Sequence, residues 1–90
     1  MSTSKTKVRL ARRVTSTPVG DGLTLLDERR GVVYHLNETG AIALSALLRD
    51  GHESAVTALC TRYATTAAVV QHDVTRLLDT LLARRLVVNL

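Results

Sequence analysis

The sequence predicts an α+β fold in which a three-stranded antiparallel sheet is followed by three α-helices. Two observations support this prediction. Up to residue 36, apolar residues roughly alternate with polar ones, which is typical of strands that bury one face. Beyond residue 37 they recur every three or four positions, which is the spacing of amphipathic helices. The 90 residues are enough for one domain with a modest core.

Three strands are predicted in the first part of the chain. They span residues 8–16, 23–27 and 32–36. In the first strand the alternation slips at Arg12-Arg13, where a β-bulge would restore it. Residues 18–22 contain one proline, two glycines and an aspartate, so they are predicted to form a loop. The turn between the second and third strands ends at Gly31, where a tight connection needs a positive φ.

Three helices are predicted in the second part of the chain. They span about residues 38–50, 53–63 and 67–84. Asn37 is a suitable N-cap for the first helix, because its side-chain oxygen can accept a hydrogen bond from a free amide of the first turn. Gly51 is placed to end this helix with a left-handed cap, and Thr65 or Thr66 can cap the third helix. Residues 86–90 are apolar enough to dock as a short extended segment.

Three helices and a β-hairpin are also the inventory of a winged helix-turn-helix protein, so the predicted fold is winged-helix-like. A DNA-binding protein of this type presents basic and amide side chains on its recognition helix, which would be the third helix here. The first turns of that helix offer Gln71 and His72 but no basic residue before Arg76. Nucleic-acid binding is therefore not expected, and a DNA-binding regulator stands as the alternative function.

Positive charge is concentrated at the start of the chain, whose net charge is +4. Five basic residues precede the first acidic residue: Lys5, Lys7, Arg9, Arg12 and Arg13. Residues 1–7 are predicted to be a disordered basic arm, and residues 8–90 to be the folded domain. No apolar run has the length of a secretory signal or a membrane span, and the single cysteine is typical of a reducing compartment. A cytoplasmic location without membrane contact is expected.

No catalytic or metal-binding pattern is present in the sequence. Cys60 falls in the apolar stripe of the second helix and lacks an oxyanion-type motif beside it, so it is expected to be a small packed residue. Asp73 and Asp79 are six residues apart on one helix and do not share a face. Three histidines lie on different elements without ligand spacing: His35, His52 and His72. We expect a protein that is not an enzyme and binds no cofactor or metal.

The third predicted helix carries a wide apolar stripe. The stripe consists of Val70, Val74, Leu77, Leu78, Leu81 and Leu82, and it is bordered by Val69, Asp73, Arg76 and Thr80. Because a three-stranded sheet is narrow, part of the stripe can face an open groove beside an unpaired strand, which would accept an extended peptide as an added strand. Alternatively, the other helices and residues 86–90 cover the stripe completely. The residue pattern leaves both arrangements open.

Two runs of residues carry a resemblance to a known family. They are Leu25-Leu26-Asp27-Glu28-Arg29-Arg30-Gly31 and Val33-Tyr34-His35-Leu36-Asn37-Glu38-Thr39-Gly40. With residues 51–56, Arg62-Tyr63, Asp73-Val74, Leu77-Leu78 and Leu81 in the same order, the chain resembles PqqD-like proteins over about residues 8–88. As a short, stand-alone chain rich in Ala, Arg and Leu, it is similar to leader-binding proteins of lasso peptide biosynthesis, which contain a RiPP recognition element.

The resemblance implies a non-catalytic module that binds the leader segment of a ribosomally made precursor peptide. The leader would add as an antiparallel strand to the third strand, against the third helix. The module would then present the precursor to a separate leader peptidase and a cyclase. A peptide chaperone of the pyrroloquinoline quinone pathway, which serves a radical enzyme, shares this fold and stays open. The implied leader-binding residues are Val32, Val33, Tyr34, His35, Leu36, Val69, Asp73, Arg76, Leu77 and Thr80.

Within this set, Val33 and Leu77 are expected to offer apolar contact, and Asp73 and Arg76 to pair with polar or charged leader groups. Two positions depart from the family pattern. His52 stands where a Thr or Ser cap followed by Pro is common, which predicts a less firmly capped second helix. Arg85 stands where a Gly often ends the third helix, so the geometry of that C-terminal turn is open.

Overall fold

The computed structural model describes residues 7–90, which form two small antiparallel sheets and three helices. The predicted three-stranded sheet followed by three helices is confirmed, and a two-stranded sheet is present in addition. The elements are β1 (Val8–Leu10), β2 (Val14–Val19), β3 (Gly22–Asp27), β4 (Val32–Leu36), α1 (Glu38–Arg49), α2 (His52–Tyr63), α3 (Ala67–Ala83) and β5 (Val87–Asn89). The expectation of a disordered arm concerns residues 1–7, of which 1–6 lie outside the described residues.

The single strand predicted over residues 8–16 is wrong, because the chain forms two strands that belong to different sheets. A turn at Arg12-Arg13 separates β1 from β2 and is closed by the Val14 amide, which donates to the Ala11 carbonyl at 3.0 Å. The slip in the alternation therefore marks a change of partner strand and not a β-bulge. This arrangement buries Val8 and Val14 in the same core from two strands.

The loop predicted over residues 18–22 is also shorter in the structure. Pro18 and Val19 continue β2 and pair with Leu23 and Gly22 of β3, which leaves two residues in the hairpin turn. Proline is tolerated here because β2 is an edge strand, where a missing N–H can face outward without breaking the ladder. Gly20 supplies the positive φ of +60° that the tight turn needs.

The C-terminal segment docks in extended form as predicted, and it does so as a strand. β5 pairs antiparallel with β1, and Leu10 lies opposite Val87. The pairing is extended by two bonds, from the Ala11 amide to the Leu86 carbonyl at 2.9 Å and from the Leu90 amide to the Lys7 carbonyl at 3.2 Å. Leu86 and Val87 are buried, so the first part of this segment belongs to the core, whereas Leu90 is exposed.

The three helices end within one residue of the predicted bounds. Asn37 caps α1 as predicted, since its side-chain oxygen accepts a hydrogen bond from the Gly40 amide at 2.9 Å. Gly51 takes a positive φ of +105°, but its ψ of −171° is extended and not left-handed helical. Thr66 occupies the N-cap position of α3 without making a side-chain cap bond. None of the helices in residues 7–90 combines the length and the apolar character that crossing a membrane requires.

The core lies between the three-stranded sheet and the helices. Leu25 of β3, Leu44 and Leu47 of α1, and Leu81 of α3 are fully buried there. α1 packs against β3 and β4 on one side and against α2 on the other, whereas α3 packs against α2 and β5. Because α3 packs against β5 of the second sheet and not closely against β4, a space is left between β4 and α3.

Candidate functional site

One edge of β4 is open. The order of the larger sheet is β2-β3-β4, so β4 pairs with β3 along one side, and within residues 7–90 no strand pairs with its other side. Alternate residues of an antiparallel strand direct both backbone N–H and C=O groups to the same edge. The open edge of β4 therefore presents a row of unused donors and acceptors, which is a template for a further strand.

A groove runs between this edge and α3. Its larger part has a volume of about 340 Å³ and also reaches the start of α1 and one residue of α2. The smaller part, of about 200 Å³, lies toward the C-terminal end of α3. The larger part is lined by Tyr34, His35, Leu36, Asn37, Thr39, Gly40, Ala43, Leu59, Asp73, Val74 and Leu77. The smaller part is lined by Tyr34, Asp73, Arg76, Leu77 and Thr80.

The strand side of the groove follows from the alternation of β4. Leu36 is 7% exposed and belongs to the core, and Tyr34 and Val32 are partly buried on the same face. The side chain of Val33 is on the opposite face and is 51% exposed. The Tyr34 ring is therefore the main apolar surface that β4 contributes. The Arg84 guanidinium carbon lies 5.4 Å from the centre of this ring, within cation–π distance.

The helix side of the groove combines one apolar wall with charged residues. Val74 and Leu78 are buried in the core, while Leu77 is only partly buried and lines both parts of the groove. The stripe of α3 is thus covered over most of its width and left open along Leu77. Asp73 and Arg76 are exposed at the groove, and within residues 7–90 neither of them forms an ion pair.

An arginine anchors the turn at one end of the groove. The Nε of Arg30 donates to the Asp27 carboxylate at 2.7 Å, and its Nη2 donates to the carbonyls of Arg84 and Arg85 at 2.7 and 3.3 Å. These bonds tie the β3–β4 turn to the C-terminal end of α3. The side-chain hydrogen bond from Arg30, together with that from its backbone amide, lowers the pKa of Asp27 below its ordinary value of 3.8.

The two departures from the family pattern have structural outcomes. Arg85 adopts a φ of +59°, so the turn after α3 takes the left-handed conformation with a non-glycine residue. α2 begins at His52 without any side-chain cap bond. Instead, the His52 Nε2 and the Thr75 hydroxyl are hydrogen-bonded at 3.1 Å, which links α2 to α3.

The structure brings most of the predicted site residues together and leaves three, Val32, Val33 and Val69, outside the groove lining. Val33 points to the other face of the sheet, and Val69 is 55% exposed in the first turn of α3. Val32 lies at the start of β4, beside the β3–β4 turn. The predicted set does not include the start of α1, where the N-cap Asn37 and the helix residues Thr39, Gly40 and Ala43 close one end of the groove. The signal for it was present, because the helix starts directly after β4.

No metal centre accompanies the groove in the described part of the chain, where no group of three or more His, Cys, Asp or Glu residues is arranged to hold an ion. Cys60 is a partly buried free thiol on α2 that packs against the core.

An open strand edge facing a helix across a groove with an apolar wall defines a small α+β module with room for an extended chain. The sequence matches the family described as "Coenzyme PQQ synthesis protein D (PqqD)" over residues 22–87. The chain belongs to this family, and the predicted PqqD-like resemblance is confirmed. No curated protein shows significant similarity to the chain.

Two solved structures share the fold over nearly the whole chain. The first, TbiB1 in complex with the TbiA(beta) leader peptide, has a TM-score of 0.80 and 25% sequence identity, and the match covers 88% of this chain and 93% of TbiB1. The second, a lasso peptide synthetase B1 complexed with the leader peptide, has a TM-score of 0.84 and 23% identity, with coverage of 91% and 98%.

Proposed function

We propose that this protein is a non-catalytic module that binds the leader segment of a ribosomally made precursor peptide, of lasso type, by strand addition to β4. The observation that carries the proposal is the open edge of β4, which faces α3 across a groove with Leu77 as its apolar wall. The similar TbiB1 structure, which contains a leader peptide, supports it.

The groove supplies two kinds of recognition. Backbone groups along β4 give affinity and register without reading the peptide sequence, as in other cases of strand addition. Side chains of the added strand alternate, so every second one faces the groove, where it meets Tyr34, Leu77 and Thr80. The others lie on the side of Val33. Of the proposed leader-binding residues, Val33 and Val69 would thus contact the leader only outside the groove, whereas Asp73 and Arg76 would pair with its polar groups.

We further propose that the module works in the cytoplasm without a cofactor and presents the bound precursor to a separate leader peptidase and a cyclase. The description of the family supports a second candidate, a peptide carrier in coenzyme PQQ synthesis. The genes beside this one separate the two candidates. A leader peptidase and a cyclase gene favour the lasso pathway, and a radical enzyme gene favours the carrier.

The test of the proposal uses the leader peptide encoded by the adjacent precursor gene, labelled with fluorescein. Fluorescence anisotropy should give saturable binding at micromolar concentrations, and no binding at tens of micromolar would refute the proposal. Strand addition is tested with leader peptides that are N-methylated at one backbone nitrogen at a time, because methylation removes a donor and leaves the side chains unchanged. We expect Kd to rise about tenfold at every second position of the bound segment and little between them. A loss without this period of two would exclude strand addition.

A further inference from the structure

Six arginines gather at one end of the groove, and we call this region the arginine end. They come from the β1–β2 turn, the β3–β4 turn and the C-terminal end of α3: Arg12, Arg13, Arg29, Arg30, Arg84 and Arg85. Two sets of hydrogen bonds hold these segments together. Arg30 donates to the carbonyls of Arg84 and Arg85, and the amide of Ala11, next to Arg12, donates to the Leu86 carbonyl.

The positive charge of the arginine end is largely uncompensated. Only two acids, Asp27 and Glu28, lie in the same segments, and Asp27 is 4% exposed and already bound by Arg30. Within residues 7–90, the only arginines in ion pairs are Arg30, Arg49 and Arg62. Six arginines against two acids leave as much positive charge here as the whole chain carries, which is +4, so the rest of the chain is balanced. The N-terminal arm alone is therefore not the source of the basic character.

The arginine end is continuous with the groove. The Arg84 guanidinium lies over the Tyr34 ring, which lines both parts of the groove, and Arg76 lines the smaller part. Asp73 lies on α3, eleven residues before the C-cap residue Arg84, which corresponds to a rise of about 16 Å. The groove is thus negative beside Asp73 and becomes positive toward the arginine end, so it has an electrostatic direction.

We propose that the arginine end binds an acidic segment of the precursor that immediately follows the added strand. This inference rests on the proposed function. β4 starts at Val32, beside the arginine end, and runs away from it to Leu36. A peptide strand antiparallel to β4 therefore leaves the groove at the arginine end with its C-terminal side. Guanidinium groups bind carboxylates with paired hydrogen bonds, so Asp or Glu residues at this point of the precursor would select the direction of binding.

The experiment is a double-mutant cycle measured by fluorescence anisotropy. The protein variant is Arg29→Gln with Arg84→Gln, which leaves the Arg30–Asp27 pair intact. The matched control is Arg49→Gln, an exposed arginine at the end of α1. The probes are the fluorescein-labelled leader of the adjacent precursor gene, the same leader with the Asp and Glu residues after the bound strand changed to Asn and Gln, and a labelled 20-base-pair DNA duplex.

If the inference is right, the double variant and the neutralised leader each raise Kd about 3- to 30-fold, and combining them adds little. Arg49→Gln leaves the Kd for the leader unchanged. High salt raises the Kd of the native protein for the native leader more than the Kd of the double variant for the neutralised leader. The inference is overturned if the leader has no acidic residue there, if either change leaves Kd unaltered, or if the losses add fully. Tighter binding of the DNA duplex, lost in the double variant, would also overturn it by assigning the arginine end to nucleic acid. In these cases leader binding by the groove still stands, whereas a leader that does not bind the native protein refutes the proposed function as well.

Discussion

Shortening Leu77 tests the groove wall most sharply, because α3 offers a matched control in Leu82. Both leucines are partly buried, and both pack against the core, but only Leu77 lines the groove. Changing leucine to alanine removes three carbon atoms, and each buried methylene contributes about 0.8 kcal/mol. Because each leucine is already partly buried against the core in the free protein, roughly half of this contribution stabilises the fold. Each variant should therefore lose about 1 kcal/mol of unfolding free energy, which is less than the roughly 2–5 kcal/mol that truncation of a fully buried leucine costs.

The remaining free energy comes from burying the part of the side chain that is still exposed, and a peptide in the groove can bury this part at Leu77 but not at Leu82. We expect Leu77→Ala to raise the Kd for the leader five- to tenfold, equivalent to about 1 kcal/mol, and Leu82→Ala to leave it within a factor of two. Anisotropy titrations give the two Kd values, and urea unfolding verifies that the variants are equally destabilised. Equal weakening of binding in both variants would show that lost stability and not lost groove contact is responsible, and Leu77 would then not be the wall that contacts the leader.

Three further predictions concern the elements that frame the groove. Asn37→Ala removes the oxygen that accepts from the Gly40 amide and should cost about 1 kcal/mol of unfolding free energy in urea titrations, whereas Asn37→Asp should cost much less. Because the folded-state pKa of Asp27 is lowered, its stabilising contribution is present above about pH 4 and is lost as the pH falls through the lowered value. Arg30→Gln should therefore flatten the dependence of the urea midpoint on pH in this acidic range, and an unchanged slope would contradict it. Arg85→Gly should stabilise the protein by about 0.5–1 kcal/mol in thermal denaturation, since Arg85 has a φ of +59°.

The helices could be predicted from the sequence because their signals are local. Asn37 and Gly51 mark the boundaries of α1. The apolar spacing identifies the buried face of α3, because all of its buried residues belong to the predicted stripe. The strand pairing is harder to predict, because alternation indicates which residues face the core but not which strand is the hydrogen-bonding partner. Apart from the slip at Arg12-Arg13, residues 8–16 alternate as one strand would, yet β1 pairs with β5 at the other end of the chain. This pairing depends on long-range packing of residues such as Leu86, which no local pattern encodes.

The candidate site was predicted in part for the same reason. The resemblance placed β4 and the border of α3 at one groove, and the structure brings Tyr34, Asp73 and Leu77 together there. The arginine end could not be predicted, because Arg30 and Arg84 are 54 residues apart in the sequence and meet only through a side chain-to-backbone hydrogen bond. The sequence predicts that positive charge is concentrated at the start of the chain, whereas the fold brings the turn of Arg12 and Arg13 next to two other segments that contain arginines.

Strand addition to β4 can be observed residue by residue with amide hydrogen exchange followed by NMR. In the free protein, the amides of Val32–Leu36 that face the open edge should exchange fast, and those paired with β3 should be protected. Adding saturating leader peptide should protect the fast amides of β4, at every second residue, and leave the outer edge of β2 unchanged. If the leader binds while the exposed amides of β4 keep their fast exchange, the peptide does not complete the sheet and the account is contradicted.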